Sequence, residues 1–251
     1  MKTILKYCLY FLVFLVAAPL AANTAINLAR GWPANWKMAD WSSAHVLPAA
    51  NATPDAEVII LASRTGRWKG IFSEHMSLVF KPKNAAQWTR YDVVGWGTPV
   101  RKDAYVADAF WYGNTPRVIY NVKGDNAAAL IPAIEANVAV YPFAAKGDYV
   151  IWPGPNSNTF VSWVVRHTEG FDAELSSAAV GKDYLGPGFH VMRAPSNTGY
   201  TASLGGYLGL TLARKEGLEL ELLGSTIGLD PADLAIKLPG FGRLSLRDAF
   251  S

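Results

Sequence analysis

Ala56-Glu57-Val58-Ile59-Ile60-Leu61-Ala62 is a short, β-rich, apolar run that reads as a buried strand. Thr65-Gly66-Arg67-Trp68-Lys69-Gly70 follows as a turn, and Ile71 to Phe80, IFSEHMSLVF, as a second strand. Lys81 to Ala86 holds Pro82 and Asn84 and turns the chain again, into a third strand over Trp88 to Trp96, WTRYDVVGW. Further strands are expected at Tyr105–Trp111 and Arg117–Asn121, giving antiparallel strands with short connections. Downstream, Leu130, Ile131, Ile134 and Val138 recur at helical spacing and predict a helix over Asn126–Val140, with Pro132 near its start. The Gly/Pro loop Tyr149–Pro155, YVIWPGP, leads to a second helix over Asn156–Arg166, capped by Asn156 or Asn158. The expected fold class is therefore α+β, an antiparallel sheet with two packed helices.

Residues 170–200 read as loop. From Tyr200 the chain is punctuated by glycine, and Leu218-Glu219-Leu220-Glu221-Leu222 alternates strictly, so one face is buried and one wet. This tail is expected to form strands or a ribbon against the main sheet. No low-complexity linker divides the chain, so residues 56–251 read as one domain with a glycine-rich C-terminal ribbon.

At the other end, Lys2 and Lys6 precede the apolar run YCLYFLVFLVAAPLAA, Tyr7 to Ala22. A positive start, an apolar centre and small residues after it are the parts of a secretory signal. Recruiting Asn23 to Leu28 makes the run long enough to span a bilayer, so residues 1–22 read either as a cleaved signal or as part of a retained anchor using residues 7–28. The lysines place the N-terminus in the cytoplasm and the remainder outside, held at the membrane through residues 7–28 or released after cleavage. Cys8 lies inside this segment, so a cleaved chain contains no cysteine, which suits an oxidising compartment. Residues 23–55 hold Trp32, Trp36 and Trp41 among prolines, a strap that sits either in the membrane interface or on the domain.

Composition narrows the function. Of 251 residues, 51% are hydrophobic and 17% charged, with a net charge of +3. That excludes a disordered chain and argues against a nucleic-acid partner. One cysteine excludes a disulfide scaffold or a cysteine-rich metal site, and His45, His75, His167 and His190 show no metal-binding spacing. No P-loop, no dinucleotide-binding glycine motif and no GxSxG elbow occurs, so no cofactor is expected.

One constellation carries chemistry. His75 lies mid-strand, and Pro153-Gly154-Pro155-Asn156-Ser157-Asn158-Thr159-Phe160 opens a later helix. A nucleophile at a helix N-terminus gains from the free N–H groups there, and a strand histidine can take its proton. Asp92 or Tyr91, on the next strand, would orient the imidazole; alternation allows only one of them to face it, and Asp92 suits an imidazolium better. Glu74 points to the face opposite His75. Arg64, Arg67, Trp68 and Lys69 form a basic-aromatic turn that either grips an anion or is solvated.

The order of these two segments resembles circularly permuted papain-like (NlpC/P60-type) hydrolases, in which an early strand histidine pairs with a cysteine in an Asn-Cys-Asn motif opening a later helix. Ser157 stands where that group has its cysteine. The resemblance implies a permuted papain-like fold and a cell-envelope amide or ester hydrolase or acyltransferase, with Ser157 as nucleophile, His75 as base and Asp92 as orienter. The serine leaves three readings open: an active hydrolase, a catalytically inactive binding or structural protein on the same scaffold, or a helix cap alone. In the binding reading, a groove near Asn156, Asn158, Trp152, Tyr91 and Arg67 takes a peptide, glycan or lipid. The chain as a whole also resembles the bacterial family called domain of unknown function 3750. That likeness rests on Arg64–Phe72 (RTGRWKGIF), Arg90–Trp96 (RYDVVGW), Trp152–Phe160 (WPGPNSNTF), Gly181–Tyr184 (GKDY) and Ile236–Gly240 (IKLPG). It implies membership and no activity, and for a bacterial chain it sets the exported part on the periplasmic side of the inner membrane, or free in the periplasm if the signal is cleaved.

Overall fold

The computed structural model describes residues 2–247. Five strands form the first sheet: β1 Glu57–Arg64, β2 Glu74–Lys81, β3 Thr89–Val93, β4 Val100–Lys102 and β5 Arg117–Lys123, ordered β4-β3-β2-β1-β5 and antiparallel throughout. The unbroken apolar run in β1 is explained by burial on both faces. Val58, Ile60 and Ala62 join Met76, Leu78 and Phe80 in the main core, while Ile59, Leu61 and Val79 form a smaller cluster behind the sheet. Helices α2, Gly124–Ala139, and α3, Ser157–His167, cover the main-core face, α2 through Leu130, Ile131 and Ile134 and α3 through Phe160, Val161 and Val164. Each such buried side chain contributes about 1.5–3 kcal/mol relative to exposure. The architecture is α+β, as its sequence pattern implies.

The strap covers the opposite face. Leu47 packs on Ile59, Leu61 and Val79, and the Trp41 ring lies 5.2 Å from Tyr105 and 5.2 Å from Trp111. Of the two places open to the tryptophans, Trp41 takes the domain. The segment Tyr105–Trp111 is not a strand. Its aromatic residues, which favour strands by propensity, form this plug instead, with only the bridges Ser43↔Ala109 and Trp111↔Asn114.

A second sheet follows: β6 Phe189–Arg193, β7 Gly199–Leu204, β8 Leu208–Ala213, β9 Gly217–Leu222, β10 Ser225–Asp230, β11 Ala235–Leu238 and β12 Gly242–Ser245, an antiparallel meander in chain order. Strand β6, with His190, lies where loop was expected. The alternation of β9 is real, and its buried residues are Glu219 and Glu221. In register, Tyr200, Leu212, Leu218, Leu229, Ile236 and Leu244 form one outward row across six strands. The inward row beside it holds Thr211, Glu219, Gly228 and Lys237.

Helix α1, Lys2–Arg30, runs through Pro19 and past the expected cleavage region. Asn23 is wholly buried and donates from Nδ2 to the carbonyls of Ile71 (2.5 Å) and Gly240 (3.1 Å). Gly240 has φ +73, and a Cβ there would collide with both the Ile71 carbonyl and the Asn23 amide, so glycine is required for this docking. The segment Tyr10–Arg30 has mean hydropathy 1.9 and is long and apolar enough to cross a membrane by length and composition.

Candidate functional site

The start of α3 is built by asparagines. Asn156 caps the helix, accepting through Oδ1 from the amides of Asn158 (2.9 Å) and Thr159 (3.2 Å), while Thr159 Oγ1 accepts from the Asn156 amide (3.1 Å). Asn158 fastens α3 to β2: its Oδ1 accepts from the Met76 amide (2.9 Å), and its Nδ2 donates to the carbonyls of Glu74 and Val180 (each 2.8 Å). Both asparagines, read from the sequence as binding residues, spend these polar atoms inside the protein.

Ser157 follows the cap and lines a cleft of about 350 Å³. Its walls include Trp68, Phe72, Tyr149, Ile151, Trp152 and Val180, with Lys69 as the basic and Glu74 as the acidic member. Trp152 is edge-on to Tyr207 (5.1 Å) and donates from Nε1 to the Leu223 carbonyl (3.0 Å), so the Gly/Pro loop is tied to the turn after β9. Burial, helped by Arg67, lowers the Lys69 ammonium from its ordinary value, and burial pushes the Tyr149 phenol up to about 12. Glu74 accepts from Arg117 Nη2 (2.6 Å) and Ser176 Oγ (2.5 Å).

His75 belongs to the other side of the sheet. Glu74 and Met76 face α3, and strand alternation turns the imidazole between them away. It stacks on Trp111 at 3.6 Å with the rings 2° from parallel, and Nε2 donates to Asp92 Oδ1 at 2.9 Å. Asp92 also accepts from Ser77 Oγ (2.6 Å) and from Arg90 Nε on its second oxygen (2.7 Å). Arg90 continues to the carbonyls of Val106 (3.1 Å) and Ala107 (3.3 Å). His75 is 4% exposed and Asp92 1%. Burial lowers the imidazole from its ordinary value, outweighing the pull of Asp92, so His75 is neutral near pH 7. For Asp92 burial acts upward, but Arg90 and His75 together hold the carboxyl well below the usual range.

The geometry thus joins His75 with Asp92 and joins Ser157 with Asn156, Asn158 and Trp152, but puts the sheet between the two groups. A papain-like dyad needs the imidazole on the helix face; here Ser157 and His75 do not meet. Tyr91 lies in the main core against Phe80. Arg67 is exposed and lines a different cavity, with Trp32 and Tyr112. Arg64 donates to the carbonyls of Gly70 (2.9 Å) and Gly240 (3.0 Å) rather than presenting itself to an anion. Sequence reasoning missed Arg90, Ser77 and Trp111. The signal for Arg90 was available, because residues two apart on a strand share a face and Arg90 therefore accompanies Asp92. Among the described residues, no group of three His, Cys, Asp or Glu side chains is placed to hold a metal ion.

The profile of a family described as protein of unknown function (DUF3750) matches residues 55–184. That span contains the first sheet, α2, α3 and most of the cleft, and stops before the second sheet. No curated protein and no solved structure matches the chain. With more than half of its 251 residues inside the matched span, the chain belongs to the DUF3750 family.

Proposed function

We propose that the protein is held in the bacterial inner membrane by α1, with its body on the periplasmic side, and that the cleft at the start of α3 binds an extended apolar ligand, such as a lipid acyl chain, without transforming it. The observation that carries this reading is the wall of the cleft. Aromatic and aliphatic side chains dominate it, as they do in sites that bury apolar ligands. Lys69 supplies a cation for the polar end of such a molecule. A glycan would need many more convergent polar groups, and a peptide would need free backbone donors and acceptors. Retention of α1 is supported by Asn23, which directly follows Ala22 and is buried in the body as part of the continuous helix.

The hydrolase reading has less support. Ser157 lines the cleft, but His75 faces away behind β2, and the Glu74 carboxylate is engaged by Arg117 and Ser176. The test uses the full chain in detergent micelles with a fluorescent phospholipid. Phe72 is 42% exposed on the cleft wall, so Phe72→Glu should leave the fold intact and weaken binding at least about tenfold. Unchanged binding in Phe72→Glu overturns the assignment of the ligand to this cleft. Covalent labelling by a fluorophosphonate that disappears in Ser157→Ala overturns the non-catalytic part.

A further inference from the structure

The second sheet is inside out. A water-soluble sheet turns its apolar residues inward; here they face outward. Leu210, Leu212 and Leu218 are 50%, 67% and 45% exposed, while Glu219, Glu221 and Lys237 behind them are at most 4% exposed. The interior is held by charge pairs: Glu219 accepts from Lys182 through one oxygen (2.8 Å) and from Lys237 through the other (2.7 Å). A second outward row repeats the first, with Val191, Ala202, Leu210, Leu220 and Ile227 in register. Strands about 4.8 Å apart carry the six-residue row over roughly 24 Å. Arg193 stands at one corner and stacks on Tyr200 (5.2 Å). Polar-in, apolar-out alternation is the pattern of sheets that face lipid, and a continuous apolar surface of this extent is not left to water.

The two ends of the strands also differ. One end carries Tyr207 and Leu223 in its turns, 47% and 66% exposed, with Trp152 beside them. The other carries Arg214, Lys215, Asp230 and Asp233. Gly240, where Asn23 docks, belongs to the apolar end. From there α1 lies against β10 and β11. Its residues Leu12, Val16, Pro19 and Leu20 form a half-buried stripe continuous with Asn23, and Phe11 and Phe14 on its other sides are each 63% exposed. At 1.5 Å per residue, Leu12 to Asn23 spans about 16 Å, over half the thickness of a hydrocarbon core. The membrane-crossing part of α1 therefore continues directly into the apolar end of the sheet.

We infer that the outer face of the second sheet lies against the same bilayer that α1 crosses, with the Tyr207–Leu223 end deepest and the Lys215 end in water. This rests on the anchor reading of α1 and adds a route for the ligand, because Leu223, Gly224 and Ser225 also line the cleft. A lipid chain reaches the cleft from the membrane without crossing water.

The test is a depth profile of the full chain in phosphatidylglycerol/phosphatidylcholine vesicles. In a Cys8→Ser background, an environment-sensitive fluorophore is attached in turn to Phe14→Cys, Leu223→Cys, Leu210→Cys and Lys215→Cys, and quenched by lipids brominated on the acyl chain. Expected are blue-shifted, quenched emission at Phe14, Leu223 and Leu210, strongest at Leu223 of the two sheet positions, and water-like emission at Lys215. If only Phe14 is quenched, the anchor stands and the inference falls. If Phe14 is not quenched either, both fall. Concentration-dependent cross-linking between Leu210→Cys chains without quenching assigns the face to a second copy and overturns the inference.

Discussion

Asp92 ties together the buried polar group behind the first sheet. Its two oxygens serve His75, Ser77 and Arg90, and none of the four residues is more than 4% exposed. Removing the charge from such a group leaves the guanidinium buried and unpaired, which costs far more than the pair contributes. Asp92→Asn is expected to destabilise the protein by about 3–5 kcal/mol, read from denaturant midpoints of the full chain in micelles. The pH dependence has a definite sign. Both groups hold fewer protons folded than unfolded, so protonation favours the unfolded chain. Above pH 6.5 the His75 contribution is complete; it is lost as pH falls below that ordinary value toward the lowered folded one. The Asp92 contribution is lost below 3.8. Stability should therefore fall in two stages on acidification, and His75→Phe, which keeps a ring on Trp111, should remove the first stage. A midpoint flat between pH 7 and 5 in the wild type contradicts this. Alternation along β2 and β3 made the His75–Asp92 side legible in the sequence. It says which residues share a face, but not which face a helix will cover, so the separation of Ser157 from His75 was not legible.

At the scale of elements, α3 is the best-announced piece of the molecule. Asn156 and Thr159 stand at the spacing of a capping box, and the cap forms where the sequence places it. What the sequence does not announce is the support for that cap from twenty-five residues downstream. Gly181 has φ +93, and a Cβ there would meet the Asn156 amide group. Gly181→Ala therefore imposes two penalties, the left-handed backbone of about 1–2 kcal/mol and displacement of a cap worth about 1 kcal/mol. Gly188 has φ +84 with nothing within 4 Å of where a Cβ would lie, so Gly188→Ala incurs only the first. Thermal unfolding of the two variants should separate them by about 1 kcal/mol, with Gly181→Ala the weaker; equal shifts would mean that the cap tolerates the methyl group. The first three strands were legible because apolar runs are bounded by turn residues. The Tyr105–Trp111 segment was not, because aromatic residues that favour a strand equally favour a plug when Trp41 arrives from the strap.

For the whole molecule, the question is which side of an alternating strand is inside. Leu218-Glu219-Leu220-Glu221-Leu222 carries the same pattern in a soluble sheet and in a lipid-facing one, and the local sequence cannot choose between them. The choice is made by what lies behind the sheet. Lys182 and Asp183 arrive from the loop after α3, with Arg166 from α3 itself, all buried among the strand residues, so Glu219 finds cations inside and the leucines are left outside. Burial penalises the Lys182 ammonium, but Asp183 and Glu219 more than offset it and raise its pKa, which marks a charge the fold has paired rather than tolerated. This reverses the usual cost of substitutions on a strand. Glu219→Ala leaves Lys182 and Lys237 without a shared carboxylate and is expected to cost about 3–5 kcal/mol. Leu218→Glu, one residue away, places a charge at the Lys215 end of the outer face, where the side chain is already 45% exposed and near the water boundary, and should cost no more than about 1 kcal/mol in micelles. Denaturant titration of both variants decides the matter: if Leu218→Glu is the more damaging, the leucines form an interior of their own, and the sheet faces the other way from that described here.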